Sequence, residues 1–113
     1  MKIAIIGSRS ITDFDLSEHI PNGTTEIVSG GAMGVDSLAR SYARLKGLKL
    51  TEFLPDYKRF RKGAPLKRNI HIVEYSDSVL AFWDGKSKGT KYVINLCRER
   101  NKPIKVIMLH NKN

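Results

Sequence analysis

Three short stretches hold residues suited to holding a phosphorylated ligand. They are Gly7-Ser8-Arg9, the run Ser29 to Asp36 (SGGAMGVD), and the run Trp83 to Thr90 (WDGKSKGT). Each combines small residues that bring the main chain close to a ligand with hydroxyl or charged side chains that can fix it. Glycine permits that approach, and the free N–H groups at the start of a helix attract anions. A plain turn between strand and helix also needs glycine, so one such loop decides little; three on one edge of a fold are a different matter. The middle stretch falls one residue short of the dinucleotide fingerprint G-x-G-x-x-G, with Ser29 in the first glycine place and Gly31 and Gly34 in the others. No Lys-Ser/Thr pair follows at the spacing of a Walker A loop. Asp36 has two readings: a first-turn carboxylate favoured by the helix dipole, or an acceptor for a ligand hydroxyl or loop amide.

A fourth segment is basic. Tyr57 to Asn69 (YKRFRKGAPLKRN) holds Lys58, Arg59, Arg61, Lys62, Lys67 and Arg68, with Tyr57 and Phe60 interleaved. Most of these charges suit a solvated face. Arg68 and Asn69, one turn past Pro65, suit a directed contact, since a guanidinium fork fits phosphate and an amide can read a base or a ribose. Trp83 can stack on a base or serve as a rim residue of the core.

The elements that must carry these residues alternate between two periods. Strands are predicted at Ile3–Ile6, Thr25–Ser29, Leu48–Leu54, Ser78–Trp83 and Ile104–Leu109. Pro55 stops the third, and the nearly unbroken apolar run of the fourth makes it central. Val35, Leu38, Ala39, Tyr42 and Ala43 recur at three and four, one face of a helix that Gly47 ends. A second helix carries Pro65 in its first turn, with Leu66, Ile70 and Val73 facing inward, and a third begins near Thr90. Between the first two strands, Thr12 and Asp15 have the spacing of a capping box, with Phe14, Leu16 and Ile20 as core contacts. The last residues, His110 to Asn113, read as a frayed tail. Five strands alternating with helices predict one α/β domain over residues 1–113: a Rossmann-like, doubly wound parallel sheet in the order 3-2-1-4-5 with helices on both faces. Ligands of such sheets bind outside the carboxyl ends of the strands, where the strand order reverses. The unusual stretches all follow strands.

Composition narrows the classes. Hydrophobic content of 41% and charged content of 27% are those of a soluble globular domain. No apolar run approaches the roughly 18 residues of a membrane span. Ile3–Ile6 is also shorter than the roughly 7–15 apolar residues of a signal peptide, so a cytoplasmic location is expected and no membrane partner. Cys97 is the only cysteine, which rules out an internal disulfide and a thiolate metal cluster; it falls on the apolar face of the last helix as a core residue. No metal site is expected. Twenty Lys and Arg against eleven Asp and Glu give a net charge of +9, which favours a polyanionic partner, either nucleic acid or a small phosphorylated ligand, over a neutral one.

Taken in order, GSR after the first strand, IVSGGAMGVDSLA, the Arg68-Asn69 pair and AFWDGKSKGT resemble the SLOG superfamily, which covers the DNA-processing protein A and cytokinin-activating "lonely guy" folds. The match is to its small single-domain YspA-like branch and runs from Ile3 to about Val106. The resemblance implies a nucleotide or nucleotide derivative, such as an ADP-ribose-like or purine nucleotide, as the ligand, with no further cofactor. It also implies a homodimer. By position, Gly7, Ser8, Arg9, Ser29, Gly30, Gly31, Asp36, Arg68, Asn69 and the loop Gly85 to Thr90 line the pocket, with Ser87, Gly89 and Thr90 on the phosphate side and Trp83 as a stacking candidate. The phosphoribohydrolase branch carries P-G-G-x-G-T-x-x-E, and in this chain Val93 occupies the glutamate place. Valine cannot handle a proton. A receptor, carrier or sink without catalysis is therefore the leading expectation. A nucleotide hydrolase using another carboxylate, Asp36, Asp56 or Asp84, is the first alternative, and a single-stranded nucleic-acid binder along Tyr57–Arg68 the second.

Overall fold

The computed structural model describes residues 1–109. Apolar residues in strand alternation build the centre first. β1 (Lys2–Gly7) lies between β2 (Glu26–Ser29) and β4 (Ser78–Trp83), with β3 (Lys49–Glu52) and β5 (Ile104–Met108) at the edges. All pairings are parallel and the order is 3-2-1-4-5, as expected. Ile5 pairs with Leu80 and Ile3 with Ile27, so large aliphatic side chains stack across the three central strands.

Because successive strand residues point to opposite faces, each strand feeds two cores. Ile3, Ile5, Ile27, Leu80 and Phe82 pack against Val35, Ala39 and Ala43 of α1 (Val35–Lys46). Ala4, Ile6, Val28, Val79 and Ala81 pack against Ile72 and Val73 of α3 (Ala64–Tyr75) and against Val93, Ile94 and Cys97 of α4 (Lys88–Glu99). Cys97 is fully buried, and burial pushes its thiol up. The chain thus winds outward from β1 along one face, through α1, and returns on the other, through α3 and α4. The carboxyl ends of β1 and β4 flank the point where the direction reverses.

Several local expectations are corrected. The segment after β1 forms no α-helix. Asp15 Oδ1 accepts from the backbone N–H of Ser17 at 2.9 Å and from its hydroxyl at 2.7 Å, leaving only a 3-10 turn at Ser17–His19. A carboxylate bonding two residues ahead competes with the helical ladder, so the Thr12/Asp15 spacing is a turn signal here rather than a capping box. The apolar residues nonetheless pack as expected: Leu16 is buried, and Phe14 lies 5.0 Å from the Phe82 ring. Leu66 does not face inward but is 44% exposed, and Ile72 takes the core position. α4 starts at Lys88 rather than Thr90, with Ser87 as its N-cap. β3 is shorter than the alternation from Leu48 to Leu54 suggests, and a four-residue helix, α2 (Tyr57–Phe60), sits inside the basic segment. The tail expectation for His110–Asn113 falls outside the described residues. Among those residues, no helix is long and apolar enough to cross a membrane.

Candidate functional site

The loops after β1, β2 and β4 meet the first turns of α1, α3 and α4 around one cavity of about 290 Å3. Gly7, Arg9, Gly30, Asp36, Arg68, Asn69, Ser87, Gly89 and Thr90, all singled out from the sequence, line it. Ile6, Ile72 and Val93 form an apolar wall, and Ala32, Met33 and Pro65 complete the lining. Met33, 73% exposed, went unpredicted. Its signal was a large apolar residue in a glycine loop where no core position exists.

The β4–α4 loop is built by its own carboxylate. Asp84 Oδ1 accepts from the N–H groups of Lys86 (2.8 Å) and Ser87 (2.9 Å), and Oδ2 accepts from the Ser10 hydroxyl (2.9 Å). These amides, helped by Ser10 and Ser8, pull the Asp84 carboxyl down to about 2. Ser8, 1% exposed, accepts from the Asp84 N–H and donates its own N–H to the Phe82 carbonyl. It clamps two loops together and does not line the cavity. Ser87 Oγ accepts from the Thr90 N–H, and the Ser87 and Thr90 hydroxyls stand 3.1 Å apart. The N–H groups of Lys88 and Gly89, at the start of α4, have no acceptor among the described residues, and the helix dipole there favours an anion. Trp83 donates its indole N–H to the Ser87 carbonyl at 3.0 Å and packs on the α3/α4 core, the rim role rather than the stacking one. Gly85 approaches Met108 instead of the cavity.

On the opposite wall, Arg68 reaches across from α3. Its Nη1 donates to the Gly30 carbonyl at 2.7 Å, and its Nε donates to Asn69 Oδ1 at 2.8 Å. Asp36 Oδ2 accepts from the Ala32 N–H at 3.0 Å, the loop-amide alternative among its readings. Burial raises the Asp36 carboxyl above its ordinary range, against the pull of the Ala32 amide and Arg68. Burial likewise lowers Arg68, which Asp36 opposes. Ser29 is fully buried and accepts from the Gly31 N–H, holding the turn from within; neither it nor Gly31 lines the cavity.

The glycines owe their presence to protein neighbours more than the loops suggested. A Cβ on Gly7 would lie 2.5 Å from the Phe82 carbonyl and 2.6 Å from Val35, and one on Gly30 would lie 2.5 Å from Arg68 Nη1. Gly89 differs, because a Cβ there meets nothing within 4 Å.

The arrangement presents the Gly89 amide and two guanidinium groups to an anion, beside an apolar wall and a buried carboxylate that can accept from a hydroxyl. Among the described residues no three His, Cys, Asp or Glu side chains form a group that could hold a metal ion. Compared with protein-family models, curated proteins and solved structures, the chain matches none.

Proposed function

We propose that the protein binds a nucleotide or nucleotide derivative in this cavity, as a receptor, carrier or sink, in keeping with its resemblance to the SLOG superfamily. The observation that carries the reading is the convergence of Gly89, at the start of α4, with Arg9 and Arg68 beside the wall of Ile6, Ile72 and Val93. A phosphate suits the first group and a base the second. At about 290 Å3 the cavity sits at the lower end of small-molecule sites, so it suits a mononucleotide-sized moiety, with any longer part outside. Val93, 2% exposed in the apolar wall, supplies no proton chemistry, which favours binding over turnover.

Thermal-shift and calorimetric titration with purine mononucleotides and ADP-ribose test the reading. Arg9→Ala removes an exposed cation. Gly89→Asp adds a carboxylate where there is open space, beside the expected phosphate. Each change is expected to weaken binding about tenfold or more while the fold persists. No shift across the panel, or affinities unchanged in both variants, overturns it.

The buried carboxyl of Asp36 supports a second reading as a nucleotide hydrolase with Asp36 as general acid. That reading requires chromatographically detectable product that disappears in Asp36→Asn. Nucleotide left intact after long incubation at high protein concentration removes it.

A further inference from the structure

A second recess, of about 340 Å3, lies across Arg68 from the principal cavity, between α2 and the first turns of α3. Arg59, Phe60, Lys67 and His71 line it, with Leu54 at its rim and Arg68 shared between the two. The Arg59 guanidinium carbon stands 5.2 Å from the centroid of the Phe60 ring, and the Lys67 ammonium 5.6 Å from the same centroid. The ring attracts both cations and so holds two like charges within roughly a Debye length of each other, about 10 Å at 0.1 M salt. Neither has an ion-pair partner among the described residues. The one carboxylate in the recess, Asp56, is engaged as the cap of α2, accepting from the Arg59 N–H at 3.2 Å. Two cations gathered on one ring, with a third, Arg68, in the wall, repel one another, and a compact anion between them relieves that repulsion.

We propose that this recess is a second anion-binding site and that it takes a phosphate monoester group. A carboxylate has two oxygens and one charge, which the Arg59 fork alone would satisfy. A phosphate monoester brings three terminal oxygens and about 1.5 to 2 negative charges, which matches the Arg59 fork together with the Lys67 point charge. The phosphate belongs either to a separate phosphorylated molecule or to the far end of a ligand seated in the principal cavity. The proposal does not rest on the nucleotide reading, because only Arg68 is common to the two sites.

The test is an NMR titration of the full chain at fixed pH, with inorganic phosphate as the probe and sodium chloride at matched ionic strength as the control. The ring resonances of Phe60 and His71 report the recess, and the Gly89 and Thr90 amides report the principal cavity. Saturable shifts at Phe60 and His71 are expected, weakened about fivefold or more in Arg59→Ala and in Lys67→Ala. Both side chains are exposed, so both variants keep the fold. Shifts no larger than those from chloride, or variants that bind phosphate like the parent, overturn the proposal. Repeating the titration with saturating ADP-ribose, a nucleotide that carries no phosphate monoester of its own, separates the sources. An unchanged phosphate affinity at the recess means a separate molecule, and a lost one means a single ligand spanning both sites. If the nucleotide binds nowhere while phosphate still fills the recess, the nucleotide reading fails and this proposal stands.

Discussion

Gly34 is a glycine at which close backbone packing and backbone conformation demand the same residue. It caps α1 at φ +69° and ψ −126°, and a Cβ there would lie 2.6 Å from both the Arg9 Cα and the Arg9 carbonyl oxygen. Alanine in that sparsely populated conformation costs about 1–3 kcal/mol. Forcing a methyl into well-packed surroundings costs about another 1–3 kcal/mol, toward the upper end here because the atoms it meets are backbone. That backbone cannot easily retreat, since the adjoining Ser8 is clamped to Asp84 and Phe82. The expected loss in Gly34→Ala is therefore about 2–6 kcal/mol, a large part of the roughly 5–15 kcal/mol that holds a domain of this size together. At about 4 °C per kcal/mol this lowers Tm by about 8–24 °C.

Two other glycines calibrate the argument. Gly47 ends α1 at φ +65°, and a Cβ there would meet nothing within 4 Å, so Gly47→Ala costs only the left-handed conformation, about 1 kcal/mol. Gly89 lies in the first turn of α4 with open space around it, and Gly89→Ala should stabilise by about 0.5 kcal/mol through helix propensity. Thermal denaturation followed by circular dichroism should rank Gly89→Ala above the parent, then Gly47→Ala, then Gly34→Ala. A Gly34→Ala protein within about 1 kcal/mol of the parent, or above Gly47→Ala, would refute the reasoning.

Two carboxylates make opposite predictions on titration. Burial raises the Asp36 carboxyl, so its contribution to stability is fullest below the unfolded pKa, about 3.9, and is lost as pH rises through the higher folded value. The parent should lose stability relative to Asp36→Asn as pH rises from about 4, and a difference that stays constant would contradict the assignment. Glu26, 7% exposed, is pushed up by burial but pulled down further by the Tyr75 phenol and Thr51 hydroxyl, with Lys49 and Lys2 adding to the pull; its carboxyl ends below the ordinary range. Its contribution is present above the unfolded pKa and lost as pH falls. Tyr75→Phe should cost about 1–3 kcal/mol at pH 7 by leaving that carboxylate short of a donor, with the deficit shrinking on acidification. A deficit that grows toward pH 3 would sink this account.

The central sheet was legible because β1, β2 and β4 are apolar enough to leave few alternatives, and the reversal of strand order follows from the alternation with helices. α1 was legible through its three-and-four spacing. The segment after β1 was not, because Asp15 at a capping-box position and Asp15 closing a turn on Ser17 look the same in sequence. Four-residue α2 is too short to show a period. Within the site, the lining contributed by the three strand-end loops could be read from their positions after strands. The contact between Arg68 and the Gly30 carbonyl spans 38 residues, and nothing local marks it. The indole of Trp83 was ambiguous for a similar reason: whether it meets a base or the Ser87 carbonyl depends on a turn that Asp84 builds.

The glycine-rich edge therefore carries two kinds of information that sequence merges. Gly7, Gly30 and Gly34 are occupied by their own protein: a strand carbonyl and Val35, the Arg68 and Asp36 side chains, and the Arg9 backbone. Substituting any of them disturbs the walls of the cavity, so lost binding in such a variant says little about a ligand. Gly89 faces open space, and its own amide has no acceptor among the described residues. A Cβ there meets no atom of the walls within 4 Å, so a substitution leaves them untouched. If the cavity holds a phosphate, Gly89 is the glycine whose substitution separates binding from stability, and a variant that grows more stable as it binds less is the signature to look for.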